Sequence, residues 1–385
     1  MREERWKLVL QVALVNFFLT GLAATTIRAQ GPTPLGFKFT DGHGVESQKA
    51  LTAYRRGMYQ HRERRDIEAV DSLKQAIILD PGFAEAYNTL CVIYDGLNRP
   101  DDAIKSCQQA LVLKSDFAVA FYNLGLIYET ANRRAEAVTA LQQVVTLNPN
   151  FAEAYYSLGR VYDKEGAYEQ AQESLKRAIE LKPEYAAAYS ELGSSYCSVT
   201  RYEDAITAFR RAVTLEPGDA RFHGNLGTAY YLAGYYADAI ASLSRAIDQK
   251  PDSQMAHNNL GEVYLKTAQY LEAINCLRRA IDLGNDRSEF QPGIYNDLAA
   301  AYAHLAKYKK ATALLSRAIQ LKPDFATAIF NLGVVDLMLK DKPGAYQQYV
   351  ALKVFDQELA AKLYEHMYGS SVIQAPASPS LKGSH

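Results

Sequence analysis

Proline recurs in this chain with a period of 34 residues, and this period restricts the fold more than any other feature of the sequence. Pro149, Pro183, Pro217 and Pro251 are each 34 residues apart, and Pro81 lies two periods before Pro149. Pro323 arrives four residues later than the period requires. Repetition at a fixed spacing of this length indicates stacked copies of one supersecondary unit, each too small to bury its own apolar face.

Other residue types keep the same register when each proline is numbered position 32. Position 7 is leucine, position 11 tyrosine and position 20 alanine in nearly every unit, and position 24 is large. Position 8 is glycine at Gly57, Gly125, Gly159, Gly193, Gly227, Gly261 and Gly333. Positions 4, 7, 8 and 11 share one face of a helix, and positions 20, 24 and 27 share one face of another. The pattern therefore predicts an antiparallel helix pair in which position 8 faces position 24, and the proline ends the second helix.

This pattern resembles the tetratricopeptide repeat, with Leu-Gly, Tyr, Ala and Pro at the spacings of that family. Stretches such as FAEAYNTL and FAVAFYNLG are also similar to the array of the O-linked N-acetylglucosamine transferases, without any catalytic domain. The resemblance implies an all-α, right-handed superhelix (an α-solenoid) of about nine helix-turn-helix repeats over residues 48–359. A capping helix is expected at 356–368, and a four-residue insertion near 286–293.

The two ends of the chain read as segments outside the array. Residues 1–29 combine a basic start, an apolar run and small residues before a break, which is typical of a secretory signal peptide cleaved after Ala29. The alternative is a membrane anchor formed by residues 8–24. Residues 30–47 are expected to be a linker, and residues 369–385 a disordered tail.

The sequence favours no catalytic, metal or nucleic-acid chemistry. It contains no phosphate-binding loop, no GxSxG, no HExxH and no CxxC. His223 and His257 share position 4 of neighbouring units, but position 4 is a core aromatic slot, so we expect no metal and no cofactor. A formal net charge of −1 gives no overall attraction for nucleic acid.

The binding surface is expected on the first helix of each unit, which in the family that the sequence resembles lines a concave groove. Asparagine amides there match the donor and acceptor of a peptide bond, so a row of them could hold an extended peptide by its backbone. The alternative is that asparagine is simply common on this face. The candidate groove residues are Asn88, Tyr122, Asn123, Tyr156, Asn225, Asn258, Asn259, Asn296, Phe330 and Asn331.

Cys91 and Cys107 occupy positions 8 and 24 of one unit and are predicted to face each other. In an exported protein they can form a disulfide, and two buried free thiols are the alternative.

These observations together predict a non-catalytic scaffold or adaptor outside the cytoplasm, periplasmic or secreted, that binds a protein or peptide partner. The alternative is a structural subunit of an envelope export or polysaccharide secretion assembly, held in the membrane by an uncleaved N-terminal segment.

Overall fold

The computed structural model describes residues 45–284 and 291–369, and these residues form 19 helices and no strand. The helices alternate as nine helix-turn-helix hairpins followed by one further helix. The first helices are α1 Val45–Arg62, α3 Ala84–Gly96, α5 Ala118–Thr130, α7 Ala152–Glu165, α9 Ala186–Ser198, α11 Ala220–Ala233, α13 Gln254–Lys266, α15 Gln291–His304 and α17 Ala326–Met338. The second helices are α2 Asp66–Leu79, α4 Pro100–Leu113, α6 Arg134–Leu147, α8 Tyr168–Leu181, α10 Tyr202–Leu215, α12 Tyr236–Gln249, α14 Tyr270–Leu283, α16 Tyr308–Leu321 and α18 Lys342–Phe355, and α19 is Gln357–Tyr368.

The helices fall into two units, α1–α10 ending at Pro217 and α11–α19 beginning at Gly218. Within each unit, consecutive hairpins stack against each other and share a core made of the predicted apolar positions. The expected signal peptide, the anchor alternative, most of the linker, most of the insertion and nearly all of the tail lie outside the described residues. Helix α1 begins at Val45, three residues before the expected start of the array at residue 48. Glu46 lies in its first turn, where a negative charge interacts favourably with the helix dipole. No helix within 45–284 or 291–369 is long and apolar enough to cross a bilayer.

The two helices of a hairpin meet closest at position 8, where glycine faces the large side chain at position 24. A Cβ added to these glycines would lie 2.5–2.9 Å from the facing leucine or phenylalanine. The pairs are Gly57–Leu73, Gly125–Leu141, Gly159–Leu175 and Gly193–Phe209 in the first unit, and Gly227–Leu243 and Gly261–Leu277 in the second. Side chains of this size are tolerated at the contact because the opposite helix presents only backbone.

The C-terminal end of the array is closed by α19, close to the expected range. Gly333 occupies position 8 of the last hairpin, and its nearest neighbour is Leu363 of α19. Leu363 is fully buried, and it packs with Ile329 and Leu352 in one core cluster. Asp356 caps the helix, since its Oδ1 accepts hydrogen bonds from the backbone N–H groups of Glu358 and Leu359 at 3.0 Å. The capping helix thus covers an apolar surface that the last hairpin cannot bury alone.

We predict that Gly227→Ala lowers the melting temperature of the chain, whereas Gly224→Ala raises it. Both glycines lie in α11, where alanine favours the helix by about 0.5–1 kcal/mol. A Cβ at Gly227 would meet Leu243 at 2.6 Å, while one at Gly224 would meet Ala246 only at 4.0 Å. Overpacking of this kind destabilises by about 1–3 kcal/mol. Thermal unfolding followed by circular dichroism measures both variants, and equal shifts would contradict the close approach.

Candidate binding surface

The candidate surface, here called the first-helix face, is formed by positions 5, 6, 9, 12 and 13 of the first helices within each unit. The first unit contributes Asn88, Tyr122, Asn123 and Tyr156 from the predicted set. The second unit contributes Asn225, Asn258, Asn259, Asn296, Phe330 and Asn331. The predicted residues therefore fall into two groups, one in each unit.

Two asparagine pairs have the same geometry, one in each unit. The Nδ2 of Asn123 donates to Oδ1 of Asn88 at 3.0 Å, and the Nδ2 of Asn331 donates to Oδ1 of Asn296 at 2.8 Å. In each pair the acceptor lies at position 5 and is buried, and the donor lies at position 6 of the following first helix and is half-buried. These bonds fix the amides across neighbouring repeats.

The remaining asparagines are also held by neighbours. The Nδ2 of Asn259, a buried residue, donates to Oγ1 of Thr228 at 3.1 Å. Asn258 is half-buried, and its Nδ2 donates to Oε1 of Glu262 at 2.8 Å. Asn225 is half-buried and has a partner within the protein. Part of the amide row therefore joins first helices to each other.

The predicted aromatic residues pack at the junctions between repeats. The ring of Tyr122 lies 4.9 Å from that of Phe151, and the ring of Tyr156 lies 4.9 Å from that of Tyr185. Phe151 and Tyr185 directly precede α7 and α9, two residues after the periodic proline. Sequence reasoning missed these rings, although aromatic residues recur at that position. Phe330 lies edge-on to His366 of the capping helix, at 6.0 Å.

An ionic cluster lies on the first-helix face of the first unit, and sequence reasoning missed it. Glu129 accepts from Arg160 at 2.9 Å and from Lys164 at 2.7 Å. Burial raises the pKa of Glu191 to about 7, against the attraction of Arg160. Asp163 is buried, its Oδ1 has no hydrogen-bond partner among the described residues, and burial raises its pKa. Glu191 thus carries only part of its negative charge at neutral pH.

A second acidic pair lies on the first-helix face of the second unit. Burial raises the pKa of Glu262 and of Asp297, and the charge of Asp297 raises the pKa of Glu262 further by repulsion. Asn258 donates to Glu262, and the Nδ2 of Asn296 donates to Oδ1 of Asp297 at 3.1 Å. The position-by-position pattern of the repeat places these residues on the face but does not show that they meet.

Cys91 and Cys107 lie in contact at the slot where the other hairpins have glycine and a large side chain. Their sulfur atoms are 2.11 Å apart, and their Cα atoms are 5.3 Å apart, within the range of disulfides. Cys197 and Cys276 are free thiols, and burial raises the pKa of both. A raised pKa keeps these thiols protonated and poorly nucleophilic.

The histidines of position 4 do not lie in a metal site. The Nε2 of His257 is 3.1 Å from the backbone oxygen of Pro251, and His223 is buried. Within the part of the chain that the structure describes, no group of three or more His, Cys, Asp or Glu residues could hold a metal ion.

The stability of the chain should fall as the pH rises from about 4 to about 8. The folded state binds protons on Glu262 and Asp297 more tightly than the unfolded state, with the pKa of Glu262 raised to about 8. Proton linkage then removes stability across this window. The positive charge of Lys266 lowers both pKa values but does not cancel the effect of burial. Tyr231 also lies near both carboxylates.

The melting temperature across this pH range should therefore drop less in a Glu262→Gln, Asp297→Asn variant. A Glu272→Gln, Asp282→Asn variant makes the same two substitutions at exposed positions of α14 and serves as the control. A pH profile that is the same in both variants would contradict the raised pKa values.

We expect Cys91 and Cys107 to be bonded in protein isolated with alkylation of free thiols, because their Cα atoms lie 5.3 Å apart, within the range that a disulfide spans. Cys197 and Cys276 should be alkylated in the same sample after unfolding. Non-reducing peptide mapping by mass spectrometry measures both. Alkylated Cys91 and Cys107 in freshly isolated protein would exclude the bond.

Comparison with known proteins supports the repeat assignment. Tetratricopeptide repeat models match residues 122–186, 190–254, 230–295 and 292–325, together more than half of the chain. No curated protein sequence matches the chain. The solved structures include MamA, at 30% identity, a TM-score of 0.40, and coverage of 42% of this chain and 94% of MamA.

Two further solved structures share the fold of this chain at low sequence identity. A tetratricopeptide repeat protein from Parabacteroides merdae has 17% identity and a TM-score of 0.53, covering 66% of this chain and 99% of that one. The Cut9–Hcn1 hetero-tetramer of the APC/C has 15% identity and a TM-score of 0.54, covering 83% of this chain and 76% of the matched chain. The helix hairpins, the glycine at position 8 and the matching family models together show that the chain belongs to the tetratricopeptide repeat family.

Proposed function

We propose that this protein is a non-catalytic scaffold that acts outside the cytoplasm and binds extended peptide segments of partner proteins on its first-helix face. The observation that carries the proposal is the repeated asparagine pair, Asn123 on Asn88 and Asn331 on Asn296. Tetratricopeptide repeats are generally interaction scaffolds, and the amide pairs are the feature of this chain that suits a peptide backbone.

Each pair holds one amide firmly while leaving part of it available. A side-chain amide has two N–H groups and an oxygen with two lone pairs. The bond within the pair uses only one N–H of the donor and one lone pair of the acceptor oxygen. The Oδ1 atoms of Asn123 and Asn331 accept no hydrogen bond from other described residues, and both side chains are half-buried. A fixed amide loses little conformational freedom on binding, which favours affinity.

The aromatic residues divide into two roles in this proposal. Tyr122 and Phe330 are half-buried, so part of each ring can contact apolar side chains of the peptide. Tyr156 is buried against Tyr185, so it supports the repeat junction. Backbone recognition with few deep pockets implies tolerance of ligand sequence, and we infer several partners.

Action outside the cytoplasm is supported by two features. Residues 1–29 have the composition of a signal peptide, and disulfides such as the one between Cys91 and Cys107 persist in oxidising compartments.

If the chain is exported and cleaved, the mature protein should begin at Gln30, after the small residue Ala29. N-terminal sequencing of protein from the native cell measures this. An intact Met1 in membrane fractions would contradict cleavage and favour anchoring by residues 8–24.

The peptide-binding proposal is tested with an array of acetylated, amidated random dodecapeptides probed with the full chain. An Asn123→Ala, Asn331→Ala variant removes one paired amide from each unit, so a selected peptide should bind about 2- to 13-fold more weakly, since one lost neutral hydrogen bond weakens binding by about 0.5–1.5 kcal/mol. Asn275→Ala, at an exposed position of the second helix α14, is the control and should bind normally.

Circular dichroism shows whether the variants remain folded. Unchanged affinity in the folded double variant would mean that the peptide binds elsewhere on the chain. An array with no bound peptide would contradict the proposed function as a whole.

A further inference from the structure

Three exposed apolar side chains lie four residues apart on one face of α18, and we call them the α18 stripe. Tyr346, Val350 and Val354 are 50%, 47% and 78% exposed. The valines have positions 25 and 29, which are polar in the other second helices of the second unit. The polar residues are Ser244 and Asp248 in α12, Arg278 and Asp282 in α14, and Ser316 and Gln320 in α16. The apolar stripe is therefore particular to the last hairpin of this unit.

A row of tyrosine rings extends this apolar surface from α18 onto the capping helix α19. The ring centroids of Tyr346 and Tyr349 lie 5.8 Å apart, and those of Tyr349 and Tyr364 lie 5.4 Å apart. Tyr364 in turn lies 4.8 Å from Tyr368, which is 53% exposed. Contiguous exposed surface that is rich in aromatic and aliphatic side chains is typical of a protein–protein interface.

Position 25 contacts the following first helix in hairpins inside the array. The Nε2 of Gln108 donates to the hydroxyl of Tyr128 at 3.3 Å, and the Nε2 of Gln142 donates to the hydroxyl of Tyr162 at 2.8 Å. Val350 has the same position in the last hairpin, and about half of its side chain is exposed although α19 follows. The stacking contact of the repeats is thus incomplete at Val350, where a further helix can continue it.

The charge pattern of α18 suits a second copy of the same helix. Residues 343–352 contain no charged side chain, so two α18 helices can approach each other without repulsion between like charges. The charged groups lie at the two ends, with Lys342 at the start of α18 and Asp356 and Glu358 just after its end. Two antiparallel copies therefore bring the basic start of one helix towards the acidic residues that follow the other.

An antiparallel pair centred on Val350 also matches the side chains of the stripe. Val350 then lies beside Val350 of the second copy, and Tyr346 lies level with Val354 because both are four residues from the centre. The same patch is used on both copies, as two-fold symmetry requires.

We propose that the protein forms a two-fold symmetric dimer in which the α18 stripes of two copies pack antiparallel. This inference goes beyond the proposed function, because the stripe belongs to a second helix and uses no residue of the first-helix face. Each dimer then carries two first-helix faces, so a partner with two binding segments is held more tightly than a partner with one.

Sedimentation equilibrium of the full chain tests the dimer by measuring its mass at rising concentration. Wild type should pass from the mass of one chain to that of two. A Val350→Glu, Val354→Glu variant should associate at least about tenfold more weakly, because pairing would bring like charges together. An Ile78→Glu, Val112→Glu variant adds the same charges at exposed apolar residues of α2 and α4, and this control should behave as wild type.

Cross-linking tests the pairing geometry. A Val350→Cys variant should form a disulfide between two chains under mild oxidation, because residue 350 of each copy lies beside its equivalent. A Val112→Cys variant should not form this cross-link. Non-reducing electrophoresis measures both variants.

Three results would overturn the proposal. A wild-type chain that stays monomeric at every concentration would leave the stripe to residues 370–385 or to another protein. Association that is unchanged in the folded Val350→Glu, Val354→Glu variant would place the contact elsewhere. A dimer without a cross-link through residue 350 would contradict the antiparallel pairing. Circular dichroism shows that the variants are folded.

Discussion

The close approach of two helices at position 8 is the contact on which the rest of each unit depends. Leucine or phenylalanine at position 24 fits against the backbone of the first helix because glycine there presents no side chain. Two hairpins solve the same problem differently. Ala299 faces Leu315 with both side chains buried, and Cys91 faces Cys107 with their Cα atoms 5.3 Å apart. In the last hairpin Gly333 meets Leu363 of α19 instead. Since the other hairpins place the same two positions opposite each other, neighbouring hairpins stack in one register within a unit.

That register decides which side chains of neighbouring repeats can meet. Asn88 with Asn123 and Asn296 with Asn331 repeat one geometry in different units. Position 9 of one first helix and position 6 of the next form a second such geometry. Thr228 and Asn259 share a hydrogen bond there, Arg160 and Glu191 bring opposite charges together, and Glu262 lies near Asp297. A regular backbone thus presents a changing series of polar groups.

Much of the fold could be predicted from the sequence, because the register depends on local periodicity and on residue size. Proline at position 32 and glycine at position 8 fix the helix bounds and the facing pairs, including the pair of cysteines. The polar contacts could not be predicted in the same way. Whether Asn123 faces solvent or Asn88, and whether Glu262 meets Asp297, depends on how two repeats pack, and the period of one repeat does not contain that information. The rings of Phe151 and Tyr185 were visible as a recurring aromatic position, but their contact with position 5 is also made between repeats.

The central claim, that the first helices present the binding surface, is tested most directly by hydrogen–deuterium exchange of the full chain with and without a selected dodecapeptide. We expect slower exchange on binding in first helices that carry the asparagine pairs, including α5 and α17. The second helices, including α6 and α16, should exchange at unchanged rates. Slower exchange confined to the second helices would contradict the account.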